Sequence, residues 1–216
     1  MQRRIVFLFL FSVFLVLPGC GGSKQTTIQI TNKITSLPAG QIYQFMGSAQ
    51  HDQHMGVTVT LTGEGTLVVD NATSSAYYIA PASVPSPNSV TVTVTAGNGS
   101  GVSDSDTFTI TPAAGPVVSI APASFTVSAS AGTPQTLTIT VTQDASGDTL
   151  TPSVNGSSVC GGGTCGSFGS VAGGSGLYTV QYSPPSSVSA ATIQVITVNS
   201  SLTSSTNGSA IVTINP

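Results

Sequence analysis

The chain has 216 residues, of which 5% are charged and 6% aromatic, and it contains no tryptophan. After residue 19 its only basic side chains are Lys24 and Lys33, against seven acidic residues. Nucleic-acid binding requires clustered Lys and Arg to neutralise phosphates, so the composition excludes nucleic acid as a partner, and it equally excludes a polybasic membrane patch.

The first predicted element is an apolar segment near the amino end. Two arginines, Arg3 and Arg4, precede an apolar run from Ile5 to Leu17 that contains one serine, Ser12. A basic start, an apolar run and a small-residue exit are typical of a secretory signal peptide. The run has 13 residues, whereas a helix needs about 20 to cross the hydrocarbon core. The sequence therefore predicts a cleaved leader over residues 1–19 rather than a permanent span.

The end of this leader, Leu17-Pro18-Gly19-Cys20, resembles the bacterial lipobox, in which the cysteine is lipidated and becomes the first mature residue. The resemblance implies lipidation of Cys20, a tether over residues 20–27, and a membrane as partner through that lipid. A fully acylated cysteine carries more than one chain, which suffices for stable anchoring. Gly21 after the cysteine implies an outer membrane or cell-surface location within the cell envelope.

Beyond the tether, short segments alternate apolar and polar residues and are separated by turn residues every eight to twelve positions. Alternation at period two with this spacing is typical of strands in a β-sandwich or barrel, and it argues against disorder. No window after the leader carries a helical apolar stripe. The predicted strands of the first half lie at Ile28–Ile30, Ile42–Phe45, Val57–Leu61, Tyr77–Ile79, Val90–Val94 and Phe108–Ile110.

The second half repeats the pattern of the first. The corresponding segments are Ala39-Gly40 and Ala131-Gly132, Tyr78–Pro81 and Tyr182–Pro185, and Phe108–Pro112 and Val212–Pro216. The offset grows from 92 residues at the start of the unit to 104 at its end, so the second copy carries an insertion of about twelve residues in its middle. Between the copies, the prolines and glycine of residues 112–116 predict a short, stiff linker.

Several motifs of the first copy are similar to bacterial Ig-like repeats of secreted and surface proteins. They are Leu37-Pro38-Ala39-Gly40-Gln41, Gly56–Gly63, Tyr78-Ile79-Ala80-Pro81 and Val84–Thr93. In such repeats a tryptophan usually occupies the place of Val59, and here it is missing from both copies. The second copy has Pro152 near that position, which predicts a short third strand or one at a sheet edge.

We therefore predict an all-β fold with two tandem Ig-like antiparallel β-sandwiches after a cleaved signal peptide. The predicted first domain covers residues 28–112, the linker residues 113–116 and the second domain residues 117–216. The resemblance is specific for the fold and says little about function, because such repeats serve as stalks, spacers, adhesins and enzyme appendages.

The insertion of the second copy holds Cys160 and Cys165 in Cys-Gly-Gly-Gly-Thr-Cys. An exported protein meets an oxidising compartment, and with Cys20 lipidated one cysteine pair remains, so we predict a disulfide between them. It would contribute about 2 kcal/mol by loop entropy. A metal site is the alternative, but it needs four ligands, and the second half offers neither a third cysteine nor a histidine.

Two further clusters of candidate ligands lie in the first half. His51 and His54, with Asp52 between them, could hold zinc or copper, but a polar hairpin loop needs the same residues to remain in water. Asp104 and Asp106 point to one face of a strand end and could chelate calcium, which requires six to eight oxygens. We predict no metal and no cofactor.

No catalytic residues are predicted, and we expect that the protein is not an enzyme. The chain has no G-x-S-x-G elbow, its histidines have no obvious Ser or Cys partner, and its acids are scattered through turns. The predicted function is a cell-envelope lipoprotein whose Ig-like modules act as a structural spacer or contact other envelope proteins. The alternative is an adhesin or module for surface glycans, which the lack of tryptophan disfavours. A metal-binding accessory protein centred on His51 and His54 is the third hypothesis.

Overall fold

A computed structural model of the chain describes residues 25–51, 56–70, 73, 75–142, 148–155, 165–201 and 207–216. Within these ranges the secondary structure is seventeen strands and one 3₁₀ turn, Ala129–Ala131, without an α-helix. The absence of a helical stripe and the period-two alternation of the sequence account for this all-β structure.

Eight strands come from the first half of the chain. They are β1 (Thr27–Ile30), β2 (Ser36–Pro38), β3 (Ile42–Gln50), β4 (Val57–Thr62), β5 (Thr66–Asp70), β6 (Ser75–Ile79), β7 (Ser89–Ala96) and β8 (Ser103–Thr111). They form two four-stranded sheets, with strand orders β1-β3-β6-β5 and β2-β8-β7-β4. All neighbours are antiparallel except β2 and β8, which are parallel. These two sheets are called the first sandwich.

Nine strands come from the second half. They are β9 (Val118–Ala121), β10 (Ser124–Ser128), β11 (Gln135–Val141), β12 (Leu150–Val154), β13 (Ser167–Phe168), β14 (Ala172–Gly174), β15 (Leu177–Ser183), β16 (Thr192–Ser200) and β17 (Gly208–Asn215). Their sheets have the orders β13-β15-β11-β9 and β10-β17-β16-β12, and β14 also pairs with β15. β10 and β17 are parallel, as β2 and β8 are in the first sandwich. These sheets are called the second sandwich.

Both strand orders are those of the Ig fold. In that fold, strands A, B, E and D share one sheet and C, F and G the other. In the first sandwich β1, β3, β6 and β5 take the first set of places, and β4, β7 and β8 take the second. The second sandwich repeats this order, with the extra strand β14 in the longer segment between β12 and β15. The chain thus consists of two tandem Ig-like sandwiches, as the sequence predicted.

Each sandwich encloses its own hydrophobic core. The first core is built from inward residues of β1 to β8, including Ile30, Phe45 and Phe108, which are at most 2% exposed. The second is built from inward residues of β9 to β17, including Leu137 and Ile196, which are fully buried. The two clusters share no residue. The alternating strands of the sequence account for this, because each buries its apolar side against the facing sheet.

A buried tyrosine lies at equivalent places in the two cores. Tyr78 donates a hydrogen bond of 2.6 Å to the Glu64 carbonyl, and the next residue is Gly65, with a φ of 123°. Tyr182 likewise donates 3.0 Å to the Cys165 carbonyl, which precedes Gly166 with a φ of 77°. Through this hydrogen bond, each tyrosine holds the loop that precedes an edge strand, β5 in the first sandwich and β13 in the second.

In the first half of the chain the six predicted strands are confirmed, and two strands, β2 and β5, were missed. β2 is only three residues long, and β5 has apolar residues at three consecutive positions, Leu67 to Val69, so neither shows alternation. Ile34, the next apolar residue after Ile30, lies outside any strand. β12 is the five-residue edge strand that Pro152 predicted, pairing with β16 alone among the described strands.

Candidate functional site

The outer side of the sheet β2-β8-β7-β4 presents only threonine and serine over its three long strands. Period-two alternation places the residues of Val-Thr repeats on opposite sides, so valines enter the core and threonines face outward. Three cross-strand rows result: Thr58–Thr95–Ser103, Thr60–Thr93–Ser105 and Thr62–Thr91–Thr107. We call these nine residues the hydroxyl face.

Hydrogen bonds between neighbouring strands order the hydroxyl face. The hydroxyls of Thr91 and Thr107 are 2.9 Å apart, and those of Thr93 and Ser105 are 2.8 Å apart. Such cross-strand hydroxyl pairs stabilise adjacent strands by a few tenths of a kcal/mol, about 0.2–1 each. The face carries no charge and no aromatic ring, so it is suited to neutral hydrogen-bonding contacts rather than to charged ligands or to stacking.

One border of the hydroxyl face is the strand β4. In the described part of the chain, β4 pairs with β7 only, so its other side presents backbone N–H and C=O groups without a strand partner. Unpaired edges of this kind are templates for pairing with another strand. The sequence predicted β4 as a strand but not its position at a sheet edge, because an edge position depends on the order of strands in the sheet.

The opposite border is held by two aspartates of β8. The Asp104 carboxylate accepts hydrogen bonds from the Ile30 N–H at 2.8 Å and the Lys33 ammonium at 2.6 Å. Asp106, which is 5% exposed, accepts the Ile34 N–H at 2.8 Å. These residues fasten the segment between β1 and β2 to β8. Both carboxylates are therefore engaged by N–H donors.

The salt bridge also changes the acidity of Asp104. Partial burial acts to raise the pKa of its carboxyl, but the Lys33 ammonium and the Ile30 N–H outweigh burial and hold the pKa below its usual value. Asp104 therefore stays ionised through the neutral range. Lys33 is the single lysine or arginine among the described residues, so this border carries no unpaired cation.

The predicted histidine site is only partly described. His51 is exposed, has a φ of 59° and accepts a hydrogen bond from the Thr26 hydroxyl through its backbone carbonyl. His54 and Asp52 lie outside the described residues. Within the ranges the structure covers, no group of three His, Cys, Asp or Glu side chains could hold a metal ion. The metal-binding hypothesis stays untested.

The three cysteines are also only partly described. Cys20 and Cys160 lie outside the described residues, so lipidation and the Cys160–Cys165 disulfide both stay predictions. Cys165 is packed against the second core, and its carbonyl is the acceptor for Tyr182. Within the described ranges, which begin at residue 25, no helix has the length and apolar character needed to cross a membrane.

A cavity of about 320 Å³ lies where the two sandwiches meet. Loops next to β5 and β6 line one side, including Glu64 and Pro81, and strands β9 and β17 line the other, including Ser119 and Ser209. The rest of the lining consists of Gly40, Gly65, Thr66 and apolar residues, and the ionisable side chain in it, Glu64, is exposed.

Of the comparisons with known proteins, the one with solved structures finds similar proteins. No family model matches the chain, and a search of curated proteins finds no relative. The chain is similar to the tandem Ig repeats of Dlar, with 14% identity over 88% of this chain and 96% of that one and a TM-score of 0.34. The Ig1-2 module of the Drosophila receptor protein tyrosine phosphatase DLAR has 10% identity over 88% and 98%, at 0.33.

A bacterial protein is among the similar structures. FdeC, an Escherichia coli adhesin, shares 14% identity over 90% of this chain and 65% of that one, with a TM-score of 0.32. Matches with TM-scores this low carry no conclusion about the fold, ligands or partners of this chain.

Proposed function

We propose that this protein is a cell-envelope lipoprotein in which two Ig-like sandwiches act as a spacer and as a protein-interaction module. The observation that supports this proposal best is the pair of sandwiches, each with a separate core, together with the hydroxyl face of the first, which carries no charge and no aromatic ring. Such a molecule is suited to spacing and to surface contacts rather than to catalysis.

The second part of the proposal, attachment to a membrane, rests on the predicted leader. A lipid on Cys20 holds the amino end at the membrane, and the first sandwich begins at Thr27, seven residues later. The longest strands have nine residues, which corresponds to about 30 Å at the usual rise of a strand. Two sandwiches in tandem would then extend about 60 Å from the anchor, far enough to space a contact surface from the bilayer.

Glycan binding is the second candidate, since the hydroxyl face offers donors and acceptors in regular rows. Protein sites for sugars usually combine such hydrogen bonds with aromatic rings, and the nine residues of this face include none. A glycan array probed with the protein would separate the two functions. Binding that is lost on Thr93→Lys in the centre of the face would replace the spacer proposal with the glycan-binding one.

The anchor is tested by replacing the lipidated residue. Cys20→Ser should release the protein from membranes into the soluble fraction, because the apolar run of the leader is too short to span the bilayer. Cys165→Ser serves as the matched control, since it also replaces a cysteine by serine but leaves Cys20 in place. Both variants are fractionated with a carbonate wash. If Cys20→Ser still pellets with membranes, the lipoprotein proposal is wrong.

A further inference from the structure

The edge strand β4 differs from the other sheet edges in length. It has six residues, and the other strands at the ends of the four sheets have between two and five. Edge strands of folded proteins are usually short, because a long unpaired edge recruits other strands. Among the described strands, β4 is therefore the edge that offers the largest number of backbone groups to a partner.

β4 also lacks the features that normally prevent pairing. Its sequence, Val57-Thr58-Val59-Thr60-Leu61-Thr62, contains no charge and no proline. Three of the seven other edge strands carry one of these: Pro38 ends β2, Asp70 ends β5 and Pro152 lies in the middle of β12. The remaining four, β1, β9, β10 and β13, carry neither but have only two to five residues. Charges and prolines on an edge oppose the addition of another strand. The contrast with β12 matters most, since β12 occupies the equivalent place in the second sandwich.

The inward side of β4 is incompletely covered. Val57, Val59 and Leu61 pack against the first core but remain partly exposed, whereas Val90 and Val92 of the neighbouring β7 are fully buried. The first core therefore ends in an apolar rim along β4. A strand added beside β4 would bury this rim and pair the free backbone groups in the same step.

We infer that β4 pairs with the β4 strand of a second copy of this chain, in an antiparallel arrangement about a two-fold axis. The alternation makes the strand complementary to itself: an axis through Val59 or Thr60 places threonine opposite threonine and apolar residues opposite apolar residues. Because β4 is uncharged, no like charges meet across the axis. The two sheets then join into one eight-stranded sheet with a continuous hydroxyl face.

This pairing rests on the interaction part of the proposed function and is independent of the lipid anchor. The contact is small, so we expect a dissociation constant between about 10 μM and 1 mM in free solution. Attachment of many copies to one membrane raises their local concentration, which favours weak pairing.

Sedimentation of the full chain in detergent, over a range up to about 1 mM, tests the inference. The wild type should shift from monomer to dimer as its concentration rises, and Thr60→Lys should weaken this association at least tenfold, since it adds a charge to each paired edge. Thr107→Lys is the matched control, because it adds the same charge to the hydroxyl face two strands away and should dimerise as the wild type does. Circular dichroism shows whether both variants keep the β structure.

A cysteine placed in the strand gives a second readout that does not depend on the lysine variant folding. Under oxidation, Thr60→Cys should give a disulfide-linked dimer when the axis passes through Thr60, and an equal mixture of Thr58→Cys and Thr60→Cys chains should do so when it passes through Val59. Thr107→Cys should give no linked dimer with either axis. A wild type that stays monomeric at the highest concentration, or a Thr60→Lys variant that dimerises as the wild type does, overturns the inference. Either result leaves the fractionation test of Cys20 unaffected, so failure of the pairing is distinguishable from failure of the anchor.

Discussion

At the scale of single residues, the glycines next to the buried tyrosines are the most constrained positions. A Cβ on Gly65 would come within 2.4–2.6 Å of the Tyr78 ring, and the φ of 123° is one that side chains rarely adopt. Gly166 has the same relation to Tyr182, whose hydroxyl oxygen would lie 2.8 Å from a Cβ. A side chain at either place would displace the tyrosine and break its hydrogen bond to the loop.

We therefore expect Gly65→Ala to reduce the free energy of unfolding of the first sandwich by about 3 kcal/mol, from overpacking and backbone strain together. Gly99→Ala is the matched control, because Gly99 has a φ of 74° but nothing within 4 Å of its Cβ. It should cost about 1 kcal/mol from backbone strain alone. Urea denaturation of the two variants measures the difference, and equal losses would show that the Tyr78 contact is not what constrains Gly65.

The same tyrosines give the protein a defined alkaline limit. Burial raises the pKa of Tyr78 to about 12 from the ordinary value of 10.0, with the Glu64 carboxylate adding to the effect, and burial also raises the pKa of Tyr182 to about 12. Below pH 10 both folded and unfolded chains keep these protons. Between about pH 10 and pH 12 only the unfolded chain loses them, so stability falls as the pH rises through this window.

This decline should be visible in urea midpoints measured from pH 9 to pH 12, and it should be shallower in the Tyr78→Phe, Tyr182→Phe double variant, which cannot ionise at these positions. The slope is the informative quantity, because the loss of two hydrogen bonds lowers the midpoint at every pH. An unchanged slope in the double variant would assign the alkaline sensitivity to other groups.

At the scale of elements, the sequence predicted strands wherever one side of the strand is buried. β7 shows why: Val90, Val92 and Val94 are buried and the intervening threonines face outward. Burial of one side of the strand thus produces the alternation of apolar and polar residues in the sequence. β5 was missed because all five of its residues are partly buried, which leaves no alternation to find. The contacts of Asp104 and Asp106 were missed because their partners, Ile30 and Ile34, lie more than 70 positions away.

The sequence predicted the residue types of the candidate surface, but not which strands would carry that surface. Abundant serine and threonine indicated hydroxyl-bearing strand faces, and the structure places nine of them side by side on β4, β7 and β8. Their rows depend on register between strands, which the spacing within a strand does not fix. The free edge of β4 depends on strand order as well.

At the scale of the whole molecule, the repeat seen in the sequence appears as two sandwiches with the same strand order. Each has its own core and its own buried tyrosine, and the segment 112–116 between them forms no strand. The insertion of about twelve residues falls between β12 and β15, where β14 is the added strand. A spacer built in this way gains length from each unit, and neither unit needs the other to complete its core.

That independence of the two sandwiches is the central claim, and separating them tests it most directly. Residues 24–114 and 115–216, each expressed alone, should show β-type circular dichroism and unfold cooperatively in urea, with a marginal stability typical of small domains. Neither should change on addition of a chelator, since we predict that neither half encodes a complete set of metal ligands. If one or both halves are unfolded in isolation, the two sandwiches form a single interlocked unit, and the tandem-spacer interpretation fails.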